Sequence, residues 1–171
     1  MQQKNLFEDG SLSRPAAAAL AAMALVAPAL ASLSDSRARS LSTKVWYALL
    51  RKPRFNPPKA VFPVVWTVLD SALAVGAYRL ARQPATPERN RALGLFAANV
   101  ALITGWAKVF FGRHHLGAAA VGSAALAATA TAYVAAARPV DKPAAATGVP
   151  LVAWVAFATV LGTTVWKMNR R

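Results

Sequence analysis

Long stretches with almost no charge, interrupted by short clusters of Lys and Arg, constrain this chain more than any other feature. A helix that crosses a bilayer needs roughly 20 mainly apolar residues. The sequence offers five such stretches, at about Pro15–Leu33, Ala60–Leu80, Arg91–Phe111, Leu116–Ala137 and Ala144–Lys167. In lipid every backbone N–H and C=O must find a partner within the segment, so runs of this length become helices. The expected fold is an all-α membrane protein, a five-transmembrane-helix bundle forming one domain over residues 15–169. A flexible segment, 1–14, precedes it and a basic tail, 170–171, follows. Composition agrees: 15% of residues are charged, against roughly 25% in soluble domains.

The net charge of +14 would suggest a nucleic-acid partner in a soluble chain. Here the basic residues flank apolar segments, which suits anionic lipid head groups instead, and no nucleic-acid role is expected. The chain has no cysteine, so disulfides, thiol nucleophiles and Cys-based metal sites are excluded. Arg14 followed by an apolar run imitates a secretory leader, and Ala29-Leu30-Ala31 imitates its cleavage site. The length of the run and the basic region after it favour a retained first span. Pro28 is a candidate kink within it.

Residues 34–59 form a long connection between the first two spans. It is rich in cations (Arg37, Arg39, Lys44, Arg51, Lys52, Arg54, Lys59) and carries Trp46, Tyr47 and Phe55. Pro53, Pro57 and Pro58 rule out continuous helix and stiffen it. Long loops of this kind are often lids or binding loops. With five spans, this loop, the third-to-fourth turn and the carboxy end share one side. Lys4, Arg14, Arg79, Arg82, Arg89, Arg91, Arg138 and Lys142 lie on the other, in smaller number, so the positive-inside rule puts the loop side in the cytoplasm. The fourth span is rich in Ala, Gly, Ser and Thr, which let helices approach closely in lipid.

Tryptophan depth singles out candidate site residues. Trp66 and Trp106 should lie about 10 Å inside the loop-side boundary at the α-helical rise, and Trp154 near mid-span. An interfacial aromatic belt accounts for Trp166 and Trp46. It does not account for Trp66 and Trp154, which are too deep and point to a pocket or to buried packing. Asp70 lies one turn after Trp66 on the same face. A carboxylate at that depth is costly and usually faces the bundle interior or a cavity. It is either paired, with Lys108 the nearest candidate, or available to a cationic or hydrogen-bonding ligand group. His114 and His115 are adjacent and cannot face one another on a helix, so they read as solvated turn residues, with a haem-ligand role for one of them as the rival. No catalytic acid–base set, phosphate loop or metal cluster is apparent, and no obligatory cofactor is expected.

The run Trp46-Tyr47 through Lys52-Pro53, Phe55 and Pro57-Pro58, continuing to Val65-Trp66-Thr67, resembles the first-loop signature of the translocator-protein, or tryptophan-rich sensory protein, family. Trp106-Ala107-Lys108-Val109-Phe110-Phe111 is similar to the end of that family's third helix. Pro150 to Thr159, with Val165-Trp166 and Asn169, is similar to its last helix. The resemblance runs from Trp46 to Asn169, in order. It implies a five-helix bundle, often dimeric, that binds porphyrins and in some members sterols or benzodiazepine-type ligands. By position, Tyr47, Trp66, Trp106, Trp154 and Ala158 match the family's pocket positions; Pro57, Pro58, Asp70 and Phe110 are further candidate ligand contacts, and Arg51, Lys52 and Arg54 would meet propionates or lipid. Trp66 and Trp154 match residues linked to porphyrin breakdown in some bacterial members, so they are also candidates for a light- or oxygen-dependent degradation activity. A regulatory membrane partner protein is a further alternative. A bacterial envelope is favoured over an organellar membrane. The chain departs from the family pattern at Asp70, usually Tyr; at Ile103, commonly Asn; at Gly122, commonly an acid; and at Leu151, Gly162 and Thr163. The last of these removes the Tyr of a proposed sterol motif.

Overall fold

The protein is described by a computed structural model over residues 10–34 and 40–170. Most of the proposed flexible segment, with Lys4, Arg37, Arg39 and Arg171, lies outside them. The described residues form α1 (Arg14–Ser34), α2 (Leu41–Leu49), α3 (Val61–Ala81), α4 (Pro87–Ala107), α5 (Leu116–Ala137) and α6 (Lys142–Asn169), with a π-helical turn, Lys108–Gly112, extending α4. Five of these helices are long and apolar enough to cross a membrane. The protein is therefore an all-α, five-span membrane protein.

Two expected boundaries move, for one reason. An apolar run marks where lipid begins, but a helix begins at its cap. α4 starts at Pro87 rather than Arg91 because Thr86 accepts from the Arg89 N–H at 3.2 Å, and proline at the first position with Glu88 in the first turn suits a helix start. α6 starts at Lys142 because Asp141 accepts from the Ala144 N–H at 2.7 Å. Pro28 lies inside α1 without ending it. The connection 34–59 also departs from expectation. It contains α2, opened by Ser40 capping the Thr43 N–H at 3.2 Å, before the prolines take over.

The spans pack as a closed ring. α1 contacts α3, α3 contacts α6, α6 contacts α5, α5 contacts α4, and α4 returns to α1. Their shared core includes Leu73, Ala77, Leu80, Phe96, Ala130, Tyr133, Leu151 and Val155. Tyr133 is the largest fully buried side chain. It fits because Gly76 of α3 and Gly148 of α6 leave room: a Cβ on Gly76 would lie 2.5 Å from the Tyr133 hydroxyl, and one on Gly148 would lie 2.8 Å from its ring. The small-residue α5 packs closely as expected, with Gly117 beneath Trp166. Asn99 of α4, fully buried, accepts from Thr129 of α5 at 3.0 Å.

At the end away from the long connection, polar groups fasten the helix termini. Arg89, read from sequence as a flanking surface charge, is buried and donates to the carbonyls of Leu80 and Ala81 at the end of α3. Asp141 receives Arg79 (3.0 and 3.1 Å) and Gln83 (3.1 Å) as well as its own cap bond. Burial pushes the Asp141 carboxyl up, but the hydrogen bonds and charge of Arg79, the Ala144 N–H and Gln83 outweigh it and hold the group below the usual carboxylate range. Its folded pKa is thus depressed, so its stabilisation is complete above the unfolded value near 4 and fades as pH falls through the depressed one. Asp141→Ala should lower stability by about 1 kcal/mol at neutral pH. Melting in detergent should show this gap closing in acid, and an equal gap at all pH values would contradict the assignment.

Candidate functional site

Burial along the helices distinguishes the two ends of the ring. On α3, successive turns of the inward arc carry Trp66, Asp70, Leu73, Ala77 and Leu80, by helical periodicity. Leu73, Ala77 and Leu80 are buried, whereas Trp66 and Asp70, nearer the loop end, are only half-buried. α6 repeats the pattern: Leu151 and Val155 are buried, but Trp154 and Ala158, on the same broad face, keep accessible surface. On α1, Ala17, Ala21 and Ala24 are buried and Pro28 and Ala31 are half-buried. Inward-facing side chains with accessible surface recur on three neighbouring helices at one level, in the loop-side half of the bundle.

Trp66 and Trp154 both pack against the shared core, so neither stands apart on a lipid-facing exterior. Trp154 is held edge-on by Phe62 (5.9 Å between ring centroids) and tilted against Phe157 (5.4 Å), which in turn meets Phe55 of the connection. Phe55 is legible in the sequence as a loop aromatic, but neither it nor Phe62 and Phe157 is among the site residues expected from sequence. The three-residue spacing of Trp154 and Phe157, which puts them on one helix face, was the available signal.

Asp70 makes no ion pair among the described residues. The expected partner, Lys108, is exposed at the π turn, and the Arg79–Asp141 bridge is the one salt bridge they form. Oδ1 of Asp70 is buried and has no hydrogen-bond partner. The paired reading of Asp70 is therefore corrected, and what remains is an inward carboxylate with unused acceptor capacity.

Above this level, α2 and the residues after it cover part of the bundle end. Trp46 stacks on His114 (centroids 4.0 Å apart, 17° between planes) and meets Phe110 edge-on at 5.6 Å. Tyr47 meets Phe110 at 6.2 Å and Phe111 at 5.9 Å. Trp106 stacks on Phe110 at 4.9 Å and donates its indole N–H to the Ala119 carbonyl at 2.9 Å. Tyr47, Trp106 and Phe110 thus form one aromatic group, distinct from the Phe55–Phe62–Trp154–Phe157 group. The structure corrects two sequence expectations here. Trp46 packs into the bundle end rather than outward as a belt residue. His114 is not a solvated turn residue: its Nε2 lies 3.1 Å from the Thr43 hydroxyl, and its backbone is left-handed at φ 56°. His115 is exposed, as expected.

The connection is fastened further along. The Arg51 N–H donates to Asn169 Oδ1 at 3.0 Å, and Asn169 Nδ2 donates back to the Arg51 carbonyl at 2.9 Å. Lys52 folds onto the carbonyls of Tyr47, Ala48 and Leu50 and covers the Tyr47 ring at 4.6 Å. Burial and the nearby Lys59 lower its pKa. Of the three proposed propionate contacts, Arg51 and Arg54 are exposed while Lys52 is engaged by its own loop. Burial raises the Tyr47 phenol, with Asn56 offsetting part of the effect. Pro57 is half-buried, its carbonyl accepting from Asn56 Nδ2 at 2.9 Å, and Pro58 is exposed. Asn169→Ala removes both ties to Arg51, so trypsin should cut after Arg51 several-fold faster than in the parent. Equal cleavage would mean that the ring contacts alone hold the loop.

Two comparisons bear on this arrangement. The sequence pattern of the TspO/MBR family matches residues 18–167. The chain is 35% identical over 127 residues to the translocator protein of Ovis aries, covering 73% of this chain and 75% of that one. It is 34% identical over 146 residues to the translocator protein of Homo sapiens (84% and 86%), and 32% identical over 124 residues to the tryptophan-rich sensory protein of Cereibacter sphaeroides (72% and 77%). With five spans in a ring and a match that takes in every one of them, the chain belongs to the TspO/MBR family of translocator and tryptophan-rich sensory membrane proteins.

Proposed function

We propose that this chain binds a flat, hydrophobic tetrapyrrole-type ligand in the loop-side half of the ring and uses that binding in sensing or transport. The observation that carries the reading is the pairing of two deep, inward, half-buried indoles, Trp66 and Trp154, with a basic connection folded over the same end. Large aromatic rings supply most of the contact energy in such a site. Pro57, Pro58, Tyr47, Trp106, Phe110 and Ala158 would complete the wall and lid, and Asp70 would meet a hydrogen-bond donor or cationic group. The exposed guanidinium groups of Arg51 and Arg54 suit propionates, while Lys52 would have to leave its carbonyl contacts to join them. The names of the relatives, sensory and translocator proteins, fit a binding role. The same site would admit sterol- or benzodiazepine-type molecules of similar shape. The distribution of Lys and Arg supports a cytoplasmic loop side and carboxy end, a bacterial envelope is the favoured membrane, and a homodimer is consistent with the family.

The test is titration of the purified protein with protoporphyrin, read by tryptophan quenching. Saturable quenching is expected, weakened about tenfold or more by Trp66→Phe or Trp154→Phe. Quenching that is absent or never saturates in the parent would sink the tetrapyrrole reading. Repeating the titration under illumination separates binding from degradation. A stable porphyrin spectrum means binding alone, whereas a new absorption band that disappears in Trp66→Phe would assign an enzymatic activity to the same indoles.

A further inference from the structure

α2 has two faces, and the aromatic contacts explain only one. Thr43, Trp46 and Tyr47 turn toward the bundle, where Thr43 and Trp46 engage His114 and Tyr47 engages Phe110 and Phe111. The opposite face carries Leu41, Val45 and Leu49, which are 79%, 57% and 79% exposed. Their i, i+4, i+8 spacing makes one continuous aliphatic stripe, with the exposed Ala48 beside it. Three large aliphatic side chains aligned along a helix outside the spans are not accounted for by the fold, which has already buried the other face.

Charge and position identify what covers the stripe. Lys44 is exposed at its edge, and Arg51, Arg54 and Lys59 are exposed just beyond the helix. Residues 40–60 contain no Asp or Glu. α2 also sits at the level where the spans end. Its partners Phe111 and His114 close α4 and its π turn, and the residue two after α2, Arg51, is tied to Asn169, the last residue of α6. An aliphatic stripe flanked by cations at that height is the arrangement of a helix lying in the membrane interface, with its apolar face at the head-group and acyl boundary. Cations near an anionic leaflet strengthen such seating.

We propose that α2 is an interfacial anchor, its Leu41–Val45–Leu49 stripe seated in the anionic leaflet that surrounds the bundle and Lys44, at the edge of the stripe, on lipid phosphates. One face of α2 then holds the lid to the bundle while the other holds it to lipid, so leaflet composition sets how firmly the lid is closed. This is independent of which ligand the site takes.

The chain lacks cysteine, so single Leu41→Cys, Val45→Cys and Leu49→Cys variants can each carry a nitroxide without further changes. All three positions are exposed, and a parent-like tryptophan spectrum verifies folding. The labelled full-length protein is placed in vesicles of phosphatidylcholine with or without phosphatidylglycerol. Accessibility to oxygen, which concentrates in lipid, is compared with accessibility to a water-soluble nickel chelate. With phosphatidylglycerol, oxygen accessibility is expected to exceed chelate accessibility several-fold at all three positions. In phosphatidylcholine alone, in high salt, or with Lys44→Gln added, that ratio is expected to fall. Three results would overturn the proposal: chelate-dominated accessibility in both membranes, which puts the stripe in water; protection from both reagents with spin–spin broadening, which puts a second copy on it; and a ratio indifferent to lipid charge, which removes the anionic partner.

Discussion

Alanine at Gly76 should destabilise the protein far more than a surface Gly-to-Ala change. The new Cβ would lie 2.3 Å from Thr147 Oγ1, 2.5 Å from the Tyr133 hydroxyl and 3.2 Å from the Ala144 carbonyl. Thr147 is held to that carbonyl at 2.7 Å, and Tyr133 is fully buried, so relief requires α3 and α6 to separate. Overpacking of this kind costs about 1–3 kcal/mol, and a melt in detergent should fall by several degrees. Gly94, around which a Cβ meets nothing within 4 Å, is the control, and Gly94→Ala should be neutral or mildly stabilising, since alanine is the better helix former. The contact itself can be isolated. The Tyr133 hydroxyl is buried without a hydrogen-bond partner, so Tyr133→Phe alone should be neutral or stabilising. Combined with Gly76→Ala it should recover part of the loss, because neighbouring substitutions that share a contact are not additive. Additive losses would mean that Gly76 matters for another reason.

The second large effect concerns Asp70, where stability and function should part. A buried polar atom without a partner costs about 1–3 kcal/mol, and Asp70 Oδ1 is such an atom. Asp70→Leu should therefore raise the melting temperature of the ligand-free protein. If the carboxyl meets the ligand, the same substitution should weaken protoporphyrin binding about tenfold, which corresponds to about 1.4 kcal/mol. Asp70→Asn, which keeps hydrogen-bonding capacity without charge, separates the two kinds of contact: restored affinity indicates a hydrogen bond, and affinity as weak as the leucine variant indicates a cation. A melting temperature that drops in Asp70→Leu would instead show that the carboxylate has a stabilising partner when the protein sits in its membrane. A gain in stability with unchanged affinity would remove Asp70 from the site.

The sequence by itself determined the class of the protein and the number of its spans. Both follow from a one-dimensional rule: lipid has no partners for backbone groups, so each long apolar run must be a helix. The depth of Trp66, Asp70 and Trp154 came from the same rule with the helical rise. Helix ends were less legible, since Thr86 and Asp141 act through a single cap bond each, in polar stretches that hydropathy ignores. Tertiary structure alone decided the rest. It paired Asp141 with Arg79 rather than Asp70 with Lys108, buried Arg89 against the carbonyls of α3, seated Tyr133 between Gly76 and Gly148, and turned Trp46 inward onto His114. All but the Arg89 bonds, which span eight and nine residues, join residues far apart in the chain. Which distant groups meet is fixed by how the spans close into a ring, and local periodicity carries no record of that closure.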